Sequence, residues 1–106
     1  MSHPSKVKGT RVERLIVDLA KQYSLEAVRA WGSNGKALGF TEDVDARIAN
    51  RSIQIKARKS IADYIKPAVH IDAQIIKEDR SEPLAVIRVS DYFEMLAKLE
   101  QMEKSE

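Results

Sequence analysis

The stretch Val44-Asp-Ala-Arg-Ile-Ala-Asn-Arg-Ser-Ile-Gln-Ile-Lys-Ala-Arg-Lys59 decides the fold. It reads as two short strands, residues 44–49 and 52–58, joined by Asn50-Arg51, a two-residue connection suited to a tight hairpin although the usual glycine is missing. The second strand alternates, with Ile53, Ile55 and Ala57 on one face and Gln54, Lys56 and Arg58 on the other. Asp45 opens the first strand and Gln54-Ile55-Lys56 follows nine residues later in its partner, so a carboxylate, an amide and an ammonium meet at one sheet end.

The flanking segments supply the layers around this hairpin. Upstream, Thr10-Arg11-Val12-Glu13 has the capping-box pattern, and Val12, Leu15, Ile16, Leu19, Ala20 and Tyr23 recur at helical spacing, which predicts a helix with one apolar stripe. Residues 1–8 read as a flexible basic arm ahead of a single domain at 9–106. Residues 26–31 alternate like a strand and run into a loop containing Gly32, Gly35 and Gly39. Downstream, Ser60-Ile-Ala-Asp63 opens a short helix or turn limited by Pro67, and residues 71–77 and 84–89 are strand candidates. A last helix is expected from Ser90 as N-cap, with Tyr92, Met95, Leu96, Leu99 and Met102 as its apolar stripe and Phe93 broadening it. The order α-β-β-β-(α)-β-β-α implies an α/β sandwich with a mixed sheet flanked by helices.

Composition limits the chemistry. A chain of 106 residues is one domain in length, and having no cysteine and only His3 and His70 excludes disulfides and Cys- or His-rich metal sites, so any metal must be held by oxygens. No apolar run approaches the ~20 residues that span a bilayer, and the N-terminal residues lack a signal peptide's apolar core, so an intracellular, cytoplasmic protein is expected. The net charge of +2 conceals an asymmetry: residues 1–59 carry twelve Lys/Arg against six Asp/Glu, residues 60–106 six against ten. The basic half is the candidate surface for a polyanion.

The residues of the hairpin also make an oxygen site for Mg²⁺, from one carboxylate, the Gln54 side-chain oxygen, the Ile55 carbonyl and waters, with Glu13 on the first helix able to look into the same space. Lys56 would orient and help deprotonate a water for attack on phosphorus. Each residue has a plainer alternative. Glu13 closes the capping box with Thr10, Asp45 is an ordinary strand-start carboxylate with Asp43 equally available, and Gln54, Lys56 and Arg58 form a wet strand face. Trp31 reads more readily as core or interface than as a base-stacking platform.

Lys8-Gly-Thr-Arg-Val-Glu-Arg14, then Asp45, then Gln54-Ile-Lys-Ala-Arg-Lys59 resemble the PD-(D/E)xK nuclease superfamily, and within it the archaeal and phage-type Holliday-junction resolvases. Those open with a Gly-Ser/Thr-Arg-x-Glu-Arg helix, carry an Asp ahead of Glu-x-Lys, and in small phage members often read Glu-Val-Lys-Ala-Arg-Lys. The closing Arg80-Ser-Glu-Pro-Leu-Ala-Val-Ile-Arg-Val-Ser-Asp-Tyr-Phe-Glu94 is similar as well, so the resemblance covers most of residues 8–99. It implies a restriction-endonuclease-like sandwich of α-β-β-β-α-β type. It also implies a Mg²⁺-dependent endonuclease, with Mn²⁺ as substitute, acting as a homodimer on branched double-stranded DNA. The implied active site is Glu13, Asp45, Gln54 and Lys56, the implied metal ligands Asp45, Gln54, Ile55 and Glu13. Lys6, Lys8, Arg11, Arg14, Lys36, Arg58 and Lys59 would contact DNA, and Ser33 matches a loop serine near the resolvase site. Two positions depart from the pattern: Gln54 stands where the family has an acid, and Val44 where it has Pro or Gly.

Two other readings stay open, a non-catalytic DNA-binding protein on the same fold and a small RNA-binding module. Two further motifs fail. Ala30-Trp-Gly-Ser-Asn-Gly-Lys-Ala37 imitates a phosphate loop but lacks its first Gly and its Ser/Thr, and Gly32-Ser-Asn-Gly35 fits the KH-domain loop but follows a strand rather than a helix.

Overall fold

The computed structural model describes residues 4–104, without the side chains of residues 4–6 and Ser33. Helix α1 runs Pro4–Gln22, starting well before Thr10. Proline is favoured at a helix start, where a missing N–H costs nothing. Residues 4–8, expected as part of an arm, therefore belong to the helix, and Thr10 lies inside it rather than at its cap. The helix closes around Ser24, whose φ of +62° lets the Leu25 N–H donate back to the Ala20 carbonyl at 3.2 Å.

Strands β1 (Ala27–Arg29), β2 (Ala46–Ile48) and β3 (Arg51–Ile53) form an antiparallel sheet in that order. Strands β4 (Ala73–Ile76) and β5 (Leu84–Ile87) pair antiparallel on their own. The chain is a mixed α/β structure, but the single mixed sheet expected is, among the described residues, two separate antiparallel sheets. Parallel pairing needs a long, usually helical crossover. Residues 60–67 make only turns, closed by Ile65 N–H to Ala62 O at 3.0 Å and Lys66 N–H to Asp63 O at 3.1 Å.

The β2–β3 hairpin turns one residue earlier than expected. Ile48 lies opposite Arg51, so Ala49 and Asn50 are the loop, with φ of +50° and +64°. Two positive φ values define the turn whose twist matches antiparallel strands, and Asn accepts such a conformation readily. The shift changes what faces Asp45. A turn at Asn50-Arg51 would set Asp45 opposite Lys56, whereas the paired register here ends at Ala46 opposite Ile53, and the Asp45 N–H donates to the Ile53 carbonyl at 2.9 Å.

Helix α2 (Val89–Lys104) begins one residue before Ser90, with the Tyr92 N–H donating to Arg88 O at 3.1 Å. Phe93 and Leu96 are buried in one core cluster with Val17, Ala20, Leu25, Ala27, Ala46, Ile48 and Ala49, to which α1, the first sheet and α2 all contribute. Tyr23 meets the Phe93 ring edge-on, centroids 6.2 Å apart. The expected α2 stripe is thus split: Tyr92 and Leu96 pack inward with Phe93, while Met95, Leu99 and Met102 are exposed.

Candidate active site

Among the described residues, Glu13 and Asp45 are the two buried charged or polar side chains. Acids are almost never buried without a specific partner. Asp45 follows Val44 out of the glycine loop, and its backbone is fixed on both sides: its carbonyl accepts from Ala30 N–H at 2.8 Å, and its N–H donates to Ile53 O at 2.9 Å. Beyond Ile53 the ladder is not continued by backbone. Instead the Asp45 carboxylate itself accepts the Ile55 N–H through Oδ2 at 2.6 Å. The carboxylate therefore stands in for a strand carbonyl, holding Ile55 to Asp45 just ahead of β2. Burial along residues 53–58 keeps alternating as the sequence predicts, with Ile53, Ile55 and Ala57 half-buried and Gln54, Lys56 and Arg58 exposed.

Glu13 is not part of a capping box. From the middle of α1 its Oε1 meets Arg29 Nη1 on β1 at 3.4 Å, with both side chains largely covered. Arg29 lies opposite Ala46, and the next residue, Ala30, bonds to Asp45, so the two carboxylates are held at the same end of the sheet. Arg29 was not singled out from the sequence. The available signal was its alternation with buried Ala27: an arginine on the inward side of a strand needs an anion, and Glu13 is that anion.

Gln54 is exposed and turns its Nε2 toward the Asp43 carbonyl at 3.3 Å. Asp43 is fully exposed, and its carboxyl is held below the ordinary value of 3.8, chiefly by the Thr41 hydroxyl that donates to it, next by a backbone hydrogen bond, and also by the Lys56 charge. Its stabilising contribution is present above that ordinary value and fades as pH falls through the lowered one. The Lys56 charge thus acts on Asp43, the carboxylate that the sequence left as the alternative to Asp45.

The predicted cations do not form one surface. Lys8, Lys56, Arg58 and Lys59, with Gly9, Ile55 and Ala57, surround a cavity of about 410 Å³ beside the hairpin end. Arg11 is exposed one turn beyond Lys8 on α1. Arg14 lines a different cavity, of about 350 Å³, with Lys21, Arg29 and Asp18. Lys36 is ion-paired to Glu42 at 2.7 Å. The side chains of Lys6 and Ser33 lie outside the described residues.

The donor set is made of hard oxygens, which suits Mg²⁺. No group of three or more His, Cys, Asp or Glu that could hold a metal occurs among the described residues, so a three-acid centre is not built here. The oxygens that could hold a divalent cation are those of Asp45, the Ile55 carbonyl and the Gln54 amide, with Asp45 tied to Ile55 through the Ile55 N–H. Glu13 fits less well, because its cation is already Arg29.

The glycine loop supports this site from behind. A Cβ on Gly35 would lie 2.6 Å from the Thr41 carbonyl and 2.6 Å from Val44 Cβ, the residue before Asp45. Gly35→Ala is expected to cost about 1–3 kcal/mol, read by urea unfolding, because backbone and a buried valine must move. Gly9→Ala, in the interior of α1 with nothing within 4 Å of the added methyl, is expected to stabilise by about 0.5–1 kcal/mol.

The chain was compared with known protein families, curated proteins and solved structures, and it matches none of them.

Proposed function

We propose that the protein is a metal-dependent endodeoxyribonuclease of the Holliday-junction-resolvase kind, on a restriction-endonuclease-like core, hydrolysing phosphodiester bonds in branched DNA. The observation that carries this reading is that, among the described residues, the two buried charged side chains are Glu13 and Asp45, both within the resemblance motifs, and that they are drawn to one sheet end beside a cavity lined by four cations. Asp45, Gln54 and the Ile55 carbonyl would hold Mg²⁺ or Mn²⁺, which when bound lowers the pKa of a water and offsets charge on the scissile phosphate. Lys56 would orient that water and offset the negative charge of the hydroxide formed as its proton passes to solvent, while the water oxygen bonds to phosphorus and the bond from phosphorus to the sugar oxygen breaks. Lys8, Arg58 and Lys59 hold the flanking phosphates. Glu13 acts through Arg29, fixing β1 against α1 beside Asp45. Incubation with an end-labelled four-way junction, a flap and a linear duplex tests the reading. The expected result is cleavage of the branched DNAs in Mg²⁺, little of the duplex, and none in EDTA; binding without cleavage would favour the non-catalytic DNA-binding alternative.

Symmetric resolution of a junction needs two sites, and a second copy of the chain is the proposed partner. The chain exposes 8414 Å², against roughly 6,000 Å² expected for a compact monomer of 12.0 kDa. Its radius of gyration is 15.3 Å, against about 13 Å expected. That excess is larger than the ~800 Å² each partner contributes to a standard interface. The proposed surface is exposed Ile75 on the β4–β5 pair together with Met95, Leu99 and Met102 on α2; Ala73 and Ile87 line a common cavity with Met95. Light scattering is expected to give twice the chain mass, and Leu99→Asp the monomer mass; a monomer for the wild type contradicts the dimer.

A further inference from the structure

Trp31 has no place in the chemistry above, and it is not in the core: the protein's one tryptophan is 85 % exposed. Nor is it on a loose tether. Ala30, fully buried, donates its N–H to the Asp45 carbonyl at 2.8 Å, and the Asn34 N–H donates to the Trp31 carbonyl at 3.1 Å across Gly32, whose φ is +60°. The next turn is closed by the Lys36 N–H on Asn34 Oδ1 at 3.1 Å and seated by buried Gly35 against Val44. A large aromatic ring is thus displayed to solvent one residue beyond the backbone bond to Asp45. The strand it follows carries Arg29, whose charge is met by Glu13, and the cavity along that strand adds Arg14 and Lys21 against one acid, Asp18.

We propose that Trp31 is a stacking platform for an unpaired base of the nucleic acid that the Asp45 site engages. The inference rests on the nucleic-acid reading given above and adds to it a means of discrimination. In continuous duplex the base faces are covered by their neighbours, whereas at a branch or strand end they are available, and an aromatic ring recognises any of them because every base has a π-face. The basic surroundings favour a polyanion over an apolar protein partner. Selection of branched DNA would then come from Trp31, and phosphate binding from the lysines and arginines.

Because Trp31 is the sole tryptophan, its fluorescence reads the contact directly. Titration with a short single strand or a four-way junction is expected to quench the emission, and titration with a blunt duplex to leave it nearly unchanged. In fluorescence anisotropy with labelled DNA, Trp31→Ala is expected to weaken single-strand and junction binding roughly 5- to 150-fold, with Trp31→Phe in between and duplex affinity unchanged. Junction binding without quenching, or with equal affinity in Trp31→Ala, overturns the proposal and leaves the nucleic-acid reading intact. Emission that shifts with protein concentration alone places Trp31 against a second copy and also overturns it. Absence of binding to any of the three DNAs overturns both.

Discussion

Replacing Lys56 by alanine is expected to lower cleavage of a four-way junction by roughly 10²–10⁴-fold while changing junction affinity little. The two effects separate because Lys56 is one cation among several at its cavity, and Lys8, Arg58 and Lys59 keep the phosphate contacts that dominate affinity. Lys56→Arg retains the charge but replaces a compact ammonium by a larger planar fork that cannot take the same place beside the attacking water, so binding is expected to persist and cleavage to stay low. Single-turnover rates and anisotropy titrations on the same preparations check both halves. Parallel losses of affinity and rate would make Lys56 a phosphate contact only.

Asp45 is expected to give the second large effect, and the choice of substituent divides its two roles. Asp45→Ala removes the charged acceptor of the Ile55 N–H and leaves that donor without its partner, at a cost of about 1.5–3 kcal/mol in chemical denaturation. Asp45→Asn keeps an oxygen for the Ile55 N–H and removes the negative charge, so it should fold nearly as well as the wild type yet lose divalent-cation affinity and cleavage. A strand-capping role alone would let Asn substitute fully. Gln54→Glu acts in the opposite sense: an added carboxylate is expected to tighten Mg²⁺ or Mn²⁺ binding in calorimetry.

What the sequence discloses and what it conceals follow physical lines. The alternation of Ile53, Ile55 and Ala57 against Gln54, Lys56 and Arg58 is legible because a period of two needs no tertiary information, and it persists past the end of β3. The capping box at Thr10 misleads because the same four residue types are compatible with a helix interior, and the helix extends upstream to Pro4. The hairpin turn moves to Ala49-Asn50 because that register buries Ala46 and Ile48 completely while Asn50 takes one of the two positive φ values. Met95, Leu99 and Met102 share a helical face with no sequence mark to say whether neighbouring elements reach it. The pairing of Glu13 with Arg29 spans sixteen residues and depends on how α1 lies over β1.

The most direct test of the account is a single-turnover cleavage assay on an end-labelled four-way junction in Mg²⁺, with wild type and Asp45→Asn side by side. The account predicts paired incisions by the wild type, abolished by EDTA, and none by Asp45→Asn despite comparable junction binding. A wild type that binds the junction and never cuts it in Mg²⁺ or Mn²⁺, or an Asp45→Asn variant that cuts as fast, would contradict it.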